Sequence, residues 1–443
     1  MKRILAMALS MTLLLGTGAS GESTEEIAMR LFEYINNRDY DAAHAMLDAS
    51  VSSMMTAKQL GEAWESVMSV FGSVNEYEIE QIDGLNAALL CRHKGGNTRF
   101  TCTFNEAGKV LTFRIVPVYD VGSPLYLELP EGATEKNIKL TLSKGVQLNA
   151  QFLLPVNYNS DTPAVVFVQG SGPSDMDETV GPYKPFRDMA YALCEAGMAS
   201  IRYDKVSYSH PGLFVDLENM TIDFEVVSPA LKALEAVKAE GFENIYLLGH
   251  SLGGMTAPYI MSQSQNGFKG GIIMAGSPRK LWEIMYDQNI AILTAQGGVG
   301  DDVKAGLDAQ TEKAREVLAM TREQAKGMTD TILGMPAYYL WSLDRHDAAA
   351  LALENGLPLL ILQGEADFQI SLNADFQAWK SALGENDDLF TFISYPGLNH
   401  LFMPAREGYG IDRAGEAYTV PSIVDKNVTD DICEWINAAQ VGK

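Results

Sequence analysis

The apolar positions change period along the chain. Ile27, Leu31, Tyr34 and Ile35 recur at helical spacing, and Asp39 to Leu47 predicts a second, short helix. Thr56-Ala-Lys-Gln59 has the form of a capping box, ahead of a helix carrying Leu60, Trp64 and Val67. Strand-like runs follow at Tyr77–Ile82, Ala88–His93, Thr98–Phe104 and Val110–Val116. Asp83-Gly84, Gly95-Gly96-Asn97 and Ala107-Gly108 separate them as turns. Helices followed by an antiparallel meander predict a small α+β domain over residues 23–118. His44 and His93 read there as ordinary surface or half-buried histidines. Gly122, Pro124, Pro130 and Gly132 mark residues 119–136 as a linker.

From residue 137 the pattern becomes strands alternating with helices. Ile138–Leu142 and Leu148–Leu154 read as an antiparallel hairpin. Short continuous apolar runs at Ala164–Val168, Ala199–Tyr203, Ile245–Leu248, Gly271–Ala275, Leu359–Leu362 and Thr391–Ser394 are what parallel strands need when both faces are covered. Helical stretches near Pro185–Glu195 and Ser228–Val237 connect the earlier ones. An α/β domain over residues 137–443 is the natural product. From Lys280 to about Asn355 there is helical periodicity and no strand signal, a separation far longer than a usual connection. It predicts a helical cap, about 280–355, inserted over the C-terminal edge of the sheet.

Composition narrows the setting. A formal net charge of -24 argues against nucleic acid or an anionic membrane surface as a partner. Lys2 and Arg3, the apolar run Ile4 to Leu15 and the small residues Gly16, Gly18, Ala19 and Ser20 form an export signal over residues 1–20. A retained N-terminal anchor is the alternative. The run is short for a transmembrane helix, and no later segment is apolar enough to span a bilayer. The expected product is secreted or extracytoplasmic, with no stable membrane span after processing. Of the 4 cysteines, none sits in a C-x-x-C motif. A two-residue turn at Gly96-Asn97 would set Cys91 opposite Cys102, where export would allow a disulfide. Two reduced, half-buried thiols are the other reading. Cys194 and Cys433 read as buried helix residues.

The chemistry centres on Gly249-His250-Ser251-Leu252-Gly253, at the end of an apolar strand and the start of a helix. That is the G-x-S-x-G turn in the context it requires. The sharp turn lifts the Ser251 hydroxyl clear, and the glycines let the flanking backbone pass close by. An activated serine needs a base, and the base an orienting acid. Only His346 and His400 follow Ser251. His346 falls in the cap, so His400 is the candidate base. The strand Leu359–Leu362 runs into Glu365-Ala-Asp367, which makes Asp367 the preferred acid and Glu365 a neighbouring support. Asp204 precedes the serine and reads as structural, near Arg202 and Lys205. His250 reads as packing locally. The oxyanion hole needs two backbone N–H groups: Leu252, and one from Gln169-Gly170-Ser171-Gly172, with Ser171 first and Gly170 next. No metal or organic cofactor is called for.

Gly249–Gly254, Gln363–Asp367 and Pro396–His400 together resemble the serine α/β-hydrolases. Val168-Gln-Gly-Ser-Gly-Pro173, Arg202-Tyr-Asp-Lys205 and Asn399-His-Leu-Phe402 are similar to the secreted bacterial two-domain carboxylesterases. The resemblance implies an α/β-hydrolase fold with a mostly parallel sheet and inserted helical cap, preceded by a small α+β domain of unknown function. It also implies cleavage of small-molecule carboxylic esters through an acyl-enzyme. Gln169 departs from the histidine that many relatives carry before the glycine, which leaves a hole made of backbone N–H groups intact. A serine peptidase or acyl-aminopeptidase on the same fold is the rival enzyme. A non-catalytic extracellular binding protein is the rival of another class.

Overall fold

A computed structural model of the chain describes residues 22–52, 55–94, 96–118, 125, 127–215, 221–384 and 388–441. The export signal predicted over residues 1–20 lies outside the described residues. The chain divides into two compact units, Met1–Val118 and Tyr119–Lys443.

In the first unit, helices Thr24–Asn36, Tyr40–Ala45, Ala49–Ser52 and Ala57–Phe71 precede an antiparallel meander of β1 (Val74–Asp83), β2 (Asn86–His93), β3 (Gly96–Phe104) and β4 (Val110–Val118). Thr56 accepts from Gln59 N while the Gln59 side chain accepts from Thr56 N, so the capping box starts the last helix as its sequence predicts. Leu31, Phe32, Ile35 and Trp64 from the helices pack on Leu89, Phe100 and Phe104 from one sheet face.

The β2–β3 register corrects one expectation. Cys91 pairs with Thr98, and Cys102 with Ala87. His93 pairs with Gly96 and Arg92 with Asn97, so Gly96 and Asn97 already belong to β3 and are not the turn. Both thiols are buried and free, and Cys194 and Cys433 are free as well. His93 lies between the Gly72 carbonyl and the Thr98 hydroxyl.

The second unit is built on an eight-stranded sheet in the order β14-β13-β10-β9-β7-β8-β6-β5. In chain order these are β5 (Thr134–Thr141), β6 (Gln147–Leu154), β7 (Pro163–Val168), β8 (Ala199–Tyr203), β9 (Asn244–His250), β10 (Gly270–Met274), β13 (Leu359–Gly364) and β14 (Phe390–Tyr395). Strand β6 runs antiparallel to β5 and β8, and every other pairing is parallel. Alternate residues feed two cores. Val166 and Val168 meet helices Ser228–Glu240 and Leu252–Gln263 on one face. Val165 and Phe167 meet helices Pro185–Glu195 and Lys426–Val441 on the other. This strand order, with the second strand reversed and helices on both faces, is the α/β-hydrolase fold.

The geometry that matters is at the C-terminal ends of the strands. Neighbours β7 and β9 send their following helices to opposite faces, so the loops part there and leave a crevice. Between β10 and β13 come helices Leu281–Ala295, Asp301–Leu318, Arg322–Lys326, Ala337–Asp344 and Ala348–Asn355. This segment also contains a hairpin of β11 (Thr331–Ile332) and β12 (Met335–Pro336), which its periodicity does not signal. Trp282, Val317, Ile332, Tyr338 and Leu340 form a small core of its own. Its final helix instead buries Ala348 and Ala352 in the core of the sheet. Among the described residues no helix is long and apolar enough to cross a membrane.

Candidate active site

Strand β9 ends at His250, and the helix begins at Leu252. Ser251 is left between them at φ 52 and ψ -116, a conformation side chains seldom adopt. Its N–H donates to Met274 O at 2.8 Å, tying the turn to the end of β10. The glycines are a packing requirement. A Cβ on Gly253 would overlap the Val168 carbonyl, and one on Gly249 the Gly253 carbonyl. Ser251 is half-buried at the positive end of its helix.

Asp367 sits in the turn after β13. Its Oδ1 accepts from the N–H groups of Gln369 (2.7 Å) and Ile370 (3.0 Å). Its Oδ2 accepts from Gln363 Nε2 (3.0 Å) and His400 Nδ1 (2.7 Å). Four donors thus fill the carboxylate. Glu365 is exposed and takes the Ser394 hydroxyl at 2.7 Å. Of the two acids in this turn, Asp367 is therefore the one in contact with the histidine.

His400 is buried in the loop after β14. Asn399 builds that loop, its Oδ1 accepting from Leu401 N and Met403 N. Ala366 N donates to Leu398 O at 2.9 Å, which joins the histidine loop to the acid turn. An ionised carboxylate only accepts, so the neutral His400 ring carries its proton on Nδ1 and keeps a lone pair on Nε2.

The loop after β7 runs beside the serine. A Cβ on Gly170 would stand 3.1 Å from Ser251 Cβ. Ser171 is exposed next to it. Gly170 N–H is already committed, donating to Glu178 Oε1 at 2.5 Å.

Glu178 escapes sequence reasoning. It lies in a loop beside Asp175 and Asp177 with no spacing signal to single it out. It is buried, and His250 Nδ1 lies 3.1 Å from its Oε1. His250 Nε2 lies 2.9 Å from the main-chain oxygen of His400. With an ionised Glu178 both partners are acceptors, and an imidazolium at His250 supplies a donor to each. Burial opposes that charge. The Glu178 charge and hydrogen bond, the His400 carbonyl and the Asp367 charge outweigh it and hold the pKa above its ordinary value. The rings of His250 and His400 are 4.7 Å apart.

The remaining candidates fall elsewhere. His346 stacks on Tyr259 at 3.6 Å, with its pKa pushed down to about 4 by burial. Asp204 accepts from Asn149 Nδ2 and Met176 N, while Arg202 pairs with Asp177 and Gln151 instead of Asp204.

No family model matches the chain. The chain is 29% identical over 441 residues to Esterase EstD of Thermotoga maritima, an alignment covering 96% of this chain and 98% of that protein. Among solved structures it is similar to Est1E of Butyrivibrio proteoclasticus with bound ferulic acid, at TM-score 0.44 and 17% identity over 69% of this chain and 100% of that one. It is also similar to a puromycin-hydrolyzing peptidase of Mycobacterium tuberculosis, at TM-score 0.45 and 13% identity over 81% of this chain and 46% of that one.

Proposed function

We propose that the chain is a serine hydrolase that cleaves small carboxylic esters, with Ser251 as nucleophile, His400 as base and Asp367 as its orienting acid. The observation that carries this reading is the 2.7 Å contact of His400 Nδ1 with Asp367 Oδ2, in a loop joined to the serine turn through His250. The likeness to an esterase along nearly the whole chain supports the ester as substrate class.

His400 Nε2 takes the Ser251 proton as Oγ attacks the ester carbonyl. The oxyanion accepts from the N–H groups of Leu252 and Ser171, and Asp367 stabilises the imidazolium. Gly170 has its N–H on Glu178, which favours Ser171 over Gly170 as the donor from that loop. His400 then returns the proton to the departing alkoxide, and the alcohol leaves. Water adds to the acyl-enzyme with His400 again as base, releasing the acid and restoring Ser251.

Residues 1–20 are read as a cleaved export signal, so N-terminal sequencing of the exported protein should begin near residue 21. The segment 280–355 is read as a cap that shapes the acyl pocket.

The test is turnover of nitrophenyl esters from acetate to laurate, beside peptide nitroanilides, with Ser251→Ala as control. Ester turnover that disappears in the variant is expected. Peptide turnover exceeding ester turnover would replace this reading with a peptidase.

A further inference from the structure

The Arg202-Tyr-Asp-Lys205 run closes on the loop after β7 with each of its residues. Arg202 pairs with Asp177, the Tyr203 carbonyl accepts from Gln169 Nε2, and Asp204 accepts from Met176 N. Lys205 N donates to Ser174 O at 3.0 Å, and Lys205 Nζ to Gly170 O at 2.7 Å.

The last contact has a chemical consequence. The Gly170 carbonyl and the Ser171 N–H belong to one peptide unit, which is planar and trans. Its C=O and N–H therefore point in opposite directions, and fixing one aims the other. The Glu178 carboxylate holds the preceding N–H, so Gly170 is gripped on both sides. An ammonium on the oxygen also draws electron density toward it, leaving the far N–H a stronger donor.

Lys205 is buried, only 2% exposed, which is costly for an ammonium. Its counter-charge is Glu225 at 3.5 Å, and the other oxygen of Glu225 accepts the Tyr339 hydroxyl at 2.6 Å. We infer that Lys205 is a positioning residue of the oxyanion hole, aiming and polarising the Gly170–Ser171 peptide. The inference rests on the serine-hydrolase reading above.

Lys205→Met with Glu225→Gln removes the donor without leaving a lone buried carboxylate. The double variant is expected to melt cooperatively, with kcat lowered about 10- to 100-fold and KM within about twofold. Phosphonylation of Ser251 by a fluorophosphonate should slow by the same factor. Lys205→Arg keeps the charge beside Glu225 but moves the donor, and its kcat should fall too. A folded variant of either kind that keeps wild-type kcat and labelling rate overturns the inference alone. So does a rise in KM at unchanged kcat. A wild-type protein that does not label at Ser251 overturns the hydrolase reading and this inference together.

Discussion

His400 Nδ1 lies 2.7 Å from Asp367 Oδ2, while three further N–H donors, from Gln363, Gln369 and Ile370, converge on the same carboxylate. The acid is thus fixed before it fixes the histidine. Asp367→Asn puts an amide where the Nδ1 proton needs an acceptor, favouring the wrong tautomer. Steady-state kinetics should show kcat reduced by about 10³- to 10⁴-fold. Glu365→Gln should stay within about threefold, because that side chain faces solvent and Ser394.

Gly364 sets the distance between acid turn and histidine loop. A Cβ there would stand 2.5 Å from the carbonyl oxygens of both Leu398 and Asn399. Gly364→Ala must push the His400 loop away from β13. A displacement of about 1 Å costs about 100-fold in rate, so kcat should drop by that order while KM changes little. Ester kinetics beside a melting curve separate this from unfolding.

The buried His250 imidazolium makes stability depend on pH. Its pKa is raised in the folded protein, so the folded state holds the proton more tightly than the unfolded chain. The contribution is full below the unfolded value of about 6.5 and is lost as pH rises through the folded value. The gap in Tm between wild type and His250→Gln should therefore be widest near pH 6 and shrink toward pH 9. A constant gap would contradict the ion pair with Glu178.

Cys91 and Cys102 are buried, and burial pushes both thiols up to about 12. Neither faces the other across β2 and β3. Thiol titration in denaturant without reductant should count 4 groups. The native protein should leave both strand cysteines unreacted at pH 8, and reductant should not move Tm. Recovery of only two thiols in denaturant would contradict the register.

The sheet and the elbow were legible in the sequence because both are local. Apolar runs such as Val165–Val168 name buried strands, and the two elbow glycines lie within five residues, although only Gly249 answers to the turn's own backbone and Gly253 to Val168. Asp367 could be ranked above Glu365 by its reach from the strand end. The hairpin register was not legible: Lys94-Gly95-Gly96-Asn97 offers several two-residue turns, and the shared core with the helices chooses among them. Glu178 and Lys205 were not legible as a pair, since their common target is one glycine backbone reached from opposite sides.

Covalent acyl transfer through Ser251 is the step on which the proposed hydrolysis depends. Intact-mass and peptide mass spectrometry after rapid quenching with a nitrophenyl ester tests it most directly. A burst of nitrophenol and one acyl group on the peptide containing Ser251 are expected, both absent in Ser251→Ala. Full turnover in that variant, or turnover with no acylated Ser251 in the wild type, would contradict it.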